Sequence, residues 1–146
     1  MQAAIGCAQI KKFPSFVERR KQNFKRLSEG LKGTEGIILP EACENSDPSW
    51  FGFLITCKEG IDRKKVVPFI ESKGVQTRML FAGNLTKHPC FDQMRAEKKG
   101  YRIVGDLKNT DYIMENSFWV GVYPGMTDAM IDYMAEVIKE AVSGCK

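Results

Sequence analysis

Residues 118–141, FWVGVYPGMTDAMIDYMAEVIKEA, decide the fold. Phe118 to Pro124 is a β-branched and aromatic run of strand length. Pro124 and Gly125 predict a turn, and Thr127 is placed to cap a helix whose Met130, Ile131, Met134, Val137, Ile138 and Ala141 recur on one face. Trp119 and Tyr123 share one side of the strand, where such residues are more often core than a stacking platform, and the helix methionines read as core too. A strand that turns straight into an amphipathic helix has a sheet on one side of its core and helices on the other.

The rest of the chain repeats that alternation. Residues 2 to 10 are small and apolar at helical spacing, and Pro14 breaks the run before Ser15 leads into a second helix carrying Phe16, Val17, Phe24, Leu27 and Leu31. Glycines 30, 33 and 36 end that helix. GIILP (36–40) and SWFGFLITC (49–57) read as neighbouring strands. Asp62 is a candidate N-cap for RKKVVPFIESKG, in which Pro68 predicts a kink, and VQTRMLF (75–81) is the next strand. Beyond it come a short helix from Pro89 to Gly100, an extended piece at YRIV (101–104) and a short helix capped by Thr110. The order α, β, β, α, β, small α, β, α predicts an α+β two-layer sandwich with a small, mainly antiparallel sheet.

At 146 residues the chain has the length of one domain, able to bury roughly 70% of its unfolded surface. Its 43% hydrophobic and 27% charged residues are those of a water-exposed globular protein, and no apolar run approaches the roughly 20 residues that span a bilayer. Gly6, Gln9 and the Lys11–Lys12 pair interrupt the opening, which argues against a secretory signal and for a cytoplasmic location. The cysteines, at 7, 43, 57, 90 and 145, are odd in number and hold no C-x-x-C pair, so reduced thiols are expected and a metal site within the chain is not. The net charge of +4 sits largely in ERRKQNFKR (18–26), which a solvated helix face explains more economically than the alternative, a nucleic-acid footprint.

Catalytic constellations are missing: the single histidine, His88, stands two residues from Cys90, and neither a G-x-S-x-G nor a phosphate-binding glycine loop is present. The loop TRMLFAGNLTKHP (77–89) is the richest in donors, with Arg78, Asn84, Thr86, Lys87 and His88 gathered at a strand end. Arg78 reads as a pocket donor or a surface ion pair, Asn84 as a pocket donor or a turn former, and Arg102 as a donor or the partner of Asp106. FGFL (51–54) resembles part of the aromatic strand of RNA-recognition domains, which keeps a small RNA-binding module as an alternative of another class.

MQAAIGCAQIKKFPSFVERRKQNFKRLSEGL, PSWFGFLITCKEG, GVQTRMLFAGNLTKHPCF and GDLKNTDYIMENSFWVGVYPGMTDAMIDYMAEVI together resemble the C-terminal part of the sugar aminotransferase family. The closest resemblance is to its CDP-4-keto-6-deoxyglucose 3-dehydrase branch, with a nucleotide-sugar aminotransferase as the alternative. The resemblance implies the small domain of a fold-type I pyridoxal phosphate enzyme over residues 14–146, with residues 1–13 the remnant of a helix leading from a larger cofactor domain upstream. It implies a cytoplasmic homodimer acting on a CDP-linked or other nucleotide 4-keto-sugar in deoxysugar and lipopolysaccharide biosynthesis. Pyridoxal or pyridoxamine phosphate would be anchored upstream, as would any iron-sulfur cluster, and a flavin and iron-sulfur reductase would be a partner. No cofactor is expected on this chain, and neither nucleic acid nor membrane is an expected partner. Arg78, Asn84 and Arg102 are the implied substrate contacts; no catalytic residue and no metal ligand is expected within the chain.

Overall fold

The computed structural model describes residues 1–145; Lys146, the last residue of the region read as the small domain, lies outside the described residues. Helices α1 (Gln2–Ile10) and α2 (Phe13–Leu31) precede β1 (Ile37–Ile38), β2 (Gly52–Cys57), α3 (Arg63–Ser72) and β3 (Thr77–Met79). Helices α4 (Asp92–Glu97) and α5 (Lys108–Asn116), strand β4 (Ser117–Gly121) and helix α6 (Asp128–Gly144) complete the order. The strands pair antiparallel throughout in the order β1-β2-β4-β3, so the architecture is the α+β arrangement expected.

The core lies between the sheet and α2, α3 and α6. On the central pair Phe53 faces Val120 and Ile55 faces Phe118, and all four are fully buried, because residues opposite one another across strands share a face. Leu27 and Leu31 of α2, Val66 and Ile70 of α3, and Ile131 and Ile138 of α6 close over them without exposed surface. Phe24 of α2 packs on Phe53 with ring centroids 4.7 Å apart. Outside the core, Arg26 of α2 reaches Asp132 of α6 through two bonds of 2.7 Å, and Arg19 reaches Asp128 at 2.7 Å. These pairs sit in solvent, so they register the two helices more than they stabilise them. Asp62 caps α3 by accepting from the Lys64 amide at 2.9 Å, and Thr127 caps α6 by accepting from the Met130 amide at 3.3 Å, both as read from the sequence.

Several local expectations change. Pro14 sits in the first turn of α2, where its missing N–H costs nothing, and the helix begins at Phe13 rather than after Ser15. Helix α3 contains Pro68 within its span. Tyr101–Val104 pairs with no strand, and α5 begins at Lys108 with Leu107, not Thr110, at its cap. The strand predicted at 36–40 pairs only at Ile37–Ile38, and that at 75–81 only over Thr77–Met79. The alternation of β4 turns Phe118 and Val120 inward, so Trp119 and Tyr123 are not core: Trp119 is half-buried and Tyr123 exposed. Met130 is exposed as well, whereas Met134 is buried. In FGFL, Phe51 is exposed but Phe53 is fully buried against the helices, so the two aromatics do not form one stacking surface.

Leu27 seats α2 on the sheet, and Leu27→Ala is expected to lower unfolding free energy by about 2–5 kcal/mol. Thr127→Ala, which removes only a cap, is expected to cost about 1 kcal/mol. Urea titrations of both variants check the ranking; a Leu27→Ala loss no larger than that of the cap would mean that α2 is not packed as described.

Candidate functional site

The donor-rich segment leaves the sheet at the edge strand β3 and returns at β4, and its conformation is held by polar side chains turned back on the segment itself. Asn84 is buried: its Oδ1 accepts from the Thr86 amide at 3.0 Å and from the Thr86 hydroxyl at 2.7 Å, capping the 3-10 turn Leu85–Lys87. Its Nδ2 donates to Asp111 Oδ1 at 2.7 Å, and Lys87 Nζ reaches the same oxygen at 2.9 Å. Hydrogen bonds from Asn84 and then Lys87 hold the Asp111 carboxyl below its ordinary range. Gly83, at φ +61°, lets Met114 approach where a Cβ would stand 2.4 Å from its Cγ, so the loop closes on α5 only with glycine there. Arg95 of α4 donates to the carbonyls of Thr86 and His88 at 2.5 and 2.9 Å and pairs with Asp92, pinning the Leu85–Lys87 turn and the start of a second 3-10 turn, Pro89–Phe91. His88 Nε2 donates to the Ala82 carbonyl at 2.5 Å.

Against that background the three residues read as substrate contacts differ. Asn84 has its side-chain polar atoms engaged by Thr86 of its own turn and Asp111 of α5. Arg78 is exposed on β3; it donates to the Thr77 carbonyl at 2.9 Å and, in the Gln76 amide orientation that satisfies both groups, to the Gln76 amide oxygen at 3.0 Å from each terminal nitrogen. Arg102 is exposed on the loop before α5, and Asp106, read as its possible partner, pairs with Lys108 at 2.8 Å instead. Among the described residues neither arginine has a carboxylate partner. Sequence reading missed Asp111, whose short polar side chain carries no motif, and Arg95, which looks like one more charge on a solvated helix. It also missed Arg63, which donates to the Met114 and Ser117 carbonyls at 2.8 and 3.0 Å and ties α5 to α3.

An apolar cavity of about 200 Å³ lies under this segment, lined by Leu85, Phe91, Met94 and Tyr101 with Thr86, Arg95 and Gly100. It does not suit pyridoxal phosphate, which needs phosphate donors, an amine and a carboxylate for the ring nitrogen. Arg95 is the basic group at its wall and is spent on the turns. Burial pushes the Cys57 thiol up to about 11, leaving it protonated and inert. Among the described residues no three His, Cys, Asp or Glu side chains are grouped to hold a metal ion, and no helix is long and apolar enough to cross a membrane.

The sequence model of the DegT/DnrJ/EryC1/StrS aminotransferase family matches residues 1–139. The chain belongs to this family. Within it, the chain is 48% identical over 145 residues to a dTDP-4-dehydro-2,6-dideoxy-D-glucose 3-dehydratase from Saccharopolyspora spinosa, covering 98% of this chain and 30% of that protein. It is 49% identical over 143 residues to the lipopolysaccharide biosynthesis protein RfbH from Salmonella typhimurium, covering 96% of this chain and 32% of the relative. The chain thus spans about a third of the length of the curated relatives it matches. The structure of the E. coli GDP-4-keto-6-deoxy-D-mannose-3-dehydratase with bound hydrated pyridoxal phosphate superposes with a TM-score of 0.78 at 28% identity, over 92% of this chain and 34% of that one. The family therefore includes sugar dehydratases and aminotransferases that match this chain over part of their length.

Asp111 yields a pH prediction. Its folded-state pKa is depressed, so the stability it contributes is present above the ordinary aspartate value of about 3.9 and is lost as pH falls through the folded value. Asp111→Asn is expected to lower the melting temperature at neutral pH, and the gap to the unmodified chain should narrow as the pH falls below the ordinary aspartate range. A gap that stays constant with pH would overturn the role given to this carboxylate.

Proposed function

We propose that the chain is the substrate-facing part of a pyridoxal or pyridoxamine phosphate-dependent nucleotide-sugar 3-dehydrase of the CDP-4-keto-6-deoxyglucose type, serving deoxysugar and lipopolysaccharide biosynthesis. In this reading residues 14–146 act as the smaller domain that covers the active site, and residues 1–13 lead into it. The single observation that carries the reading is the division of labour in the 77–111 segment. Asp111, Lys87, Asn84, Arg95 and His88 bind one another or the backbone, while Arg78, positioned by the Thr77 carbonyl and the Gln76 amide, and Arg102 keep exposed guanidinium groups without a carboxylate partner among the described residues. Two planar cations left over beside an internally satisfied loop are suited to an anionic ligand, since guanidinium groups pair with phosphate through two parallel hydrogen bonds.

Arg78 and Arg102 would neutralise the diphosphate of the nucleotide sugar, and Asn84 would hold the turn that keeps the loop in place. The cofactor itself would be held by other parts of a longer enzyme, as would any iron-sulfur cluster, and no step of the reaction is assigned to residues of this chain. Names of relatives support dehydration over transamination: the Saccharopolyspora and E. coli proteins are 3-dehydratases, and a variant GDP-4-keto-6-deoxymannose-3-dehydratase is known with bound GDP-perosamine. A cytoplasmic homodimer served by a flavin and iron-sulfur reductase completes the proposal. A nucleotide-sugar aminotransferase of the same family would use the same two arginines.

In the longer enzyme, Arg78→Ala or Arg102→Ala is expected to raise KM for the nucleotide sugar about tenfold or more, the loss of one charge-assisted hydrogen bond, with the circular dichroism spectrum unchanged. Unchanged kinetics in both variants would return these arginines to the solvated surface. Absorbance titration of the chain alone with pyridoxamine phosphate is expected to give no stoichiometric complex; a tight one would place the cofactor anchor here.

A further inference from the structure

The face of the sheet turned away from the helices carries aromatic surface that the core does not use. Trp119 of β4 lies there, opposite Leu54 of β2 and Arg78 of β3. Its indole is fixed from three sides. Nε1 donates to the Met79 carbonyl at 3.1 Å. A Cβ at Gly52 would stand 2.8 Å from the ring, so the indole lies directly over the glycine backbone. Phe51 meets it edge-on, with centroids 5.4 Å apart and planes at 89°. The ring of Phe81 stands 6.4 Å from the indole, tilted by 39°.

Phe81 is 76% exposed and has φ +44°, a left-handed conformation that a bulky L side chain avoids. Straining the backbone to hold a phenyl ring in water contributes nothing to the core, and such strain persists where the held geometry is used. Arg78 projects from the same face as the indole and is exposed, with no carboxylate partner among the described residues. A preoriented indole, a second ring inclined to it and a guanidinium that is held by the Thr77 carbonyl and the Gln76 amide oxygen but neutralised by no carboxylate form a stacking platform with a cation at its edge. Aromatic side chains stack on any nucleobase because every base has a π-face, and a guanidinium takes phosphate oxygens through its planar fork.

We infer that this face binds the nucleoside diphosphate part of the substrate, with the base stacked against the aromatic surface that Trp119 and Phe81 form together and the diphosphate drawn to Arg78. The inference rests on the nucleotide-sugar reading and assigns the base a place on this chain. A purely apolar partner would not call for the arginine, and a bare phosphate would not call for the rings.

The test is an NMR titration of the chain with dTDP, GDP and CDP, following the Trp119 indole N–H, identified by its loss in Trp119→Phe, and the amides of Arg78 and Phe81. Saturable shifts at these groups are expected, with a dissociation constant of about 1 mM or tighter. Arg78→Ala should weaken dTDP about tenfold while leaving thymidine unchanged, and Trp119→Leu should weaken both. Unshifted amides in the remaining strands would show that both variants keep the fold. Inorganic pyrophosphate binding as tightly as dTDP would overturn the platform, leaving a charge site only. Shifts confined to the Leu85–Tyr101 cavity would overturn it while leaving the nucleotide-sugar reading in place. Shifts at Trp119 with single-stranded RNA but with no nucleoside diphosphate would replace the inference with a polynucleotide surface. Silence with every probe would overturn the inference alone, because turnover by the longer enzyme decides the nucleotide-sugar reading separately.

Discussion

Strand β4 presents Phe118 and Val120 to the helices and, by the same two-residue alternation, turns Trp119 to the opposite face beside Arg78. Its inward residues pair with Ile55 and Phe53 of β2, which makes the β2–β4 ladder the surface on which α2, α3 and α6 are seated. A slip of one residue in that ladder would carry Phe118 and Val120 into water and Trp119 into the core, so the core's demand for apolar surface sets the register of the open face. Burial on one side of β4 therefore positions the candidate site on the other. Leu27, Ile131 and Phe118 are buried on the helix side of the sheet, yet they determine where Trp119 and Arg78 stand.

Electrostatics in the segment between β3 and β4 follows an economy of partners. Asp111 satisfies Asn84 and Lys87, Asp92 satisfies Arg95, and Asp106 satisfies Lys108. These contacts order a stretch of turns and two short helices whose backbone would otherwise cost conformational entropy to hold. Among the described residues Arg78 and Arg102, like Lys98 and Lys99, have no carboxylate partner, and of these only the arginines carry a planar fork of donors. An exposed guanidinium loses little by waiting in water, and it keeps its full charge for a ligand that brings its own.

Arg78 and Arg102 were legible as candidates because arginine near a strand end or a loop is a recognisable donor for anions, and Asn84 because asparagine serves pockets and turns alike. The sequence could not separate those last two roles. Whether an asparagine points outward or caps its own turn depends on Asp111, 27 residues further along the chain, arriving within 2.7 Å, and that distance is a product of α5 packing on the loop. Arg95 and Arg63 were hidden for the same reason. Each acts on carbonyl oxygens, which every residue possesses, so no partner residue type betrays them. Trp119 was placed in the core because large aromatics usually are. Neighbouring Phe118 competes for the same side of the strand and wins it through register with Ile55.

Local chemistry was decided by sequence alone. Asp62 and Thr127 cap their helices because a short oxygen-bearing side chain before an apolar stripe satisfies free amides wherever the helix lies. The two-layer α+β architecture was legible likewise, since runs of period near two and near 3.6 can bury their apolar sides only against each other. Resemblance spread over most of the chain pointed to the family, and the family match over residues 1–139 bears it out. Tertiary structure alone decided which side of β4 meets solvent, which cations keep partners and which do not, and that Phe51, Trp119 and Phe81 lie together although 68 positions separate the first from the second. Those are relations between segments distant in sequence, and they exist only once the β2–β4 ladder has closed.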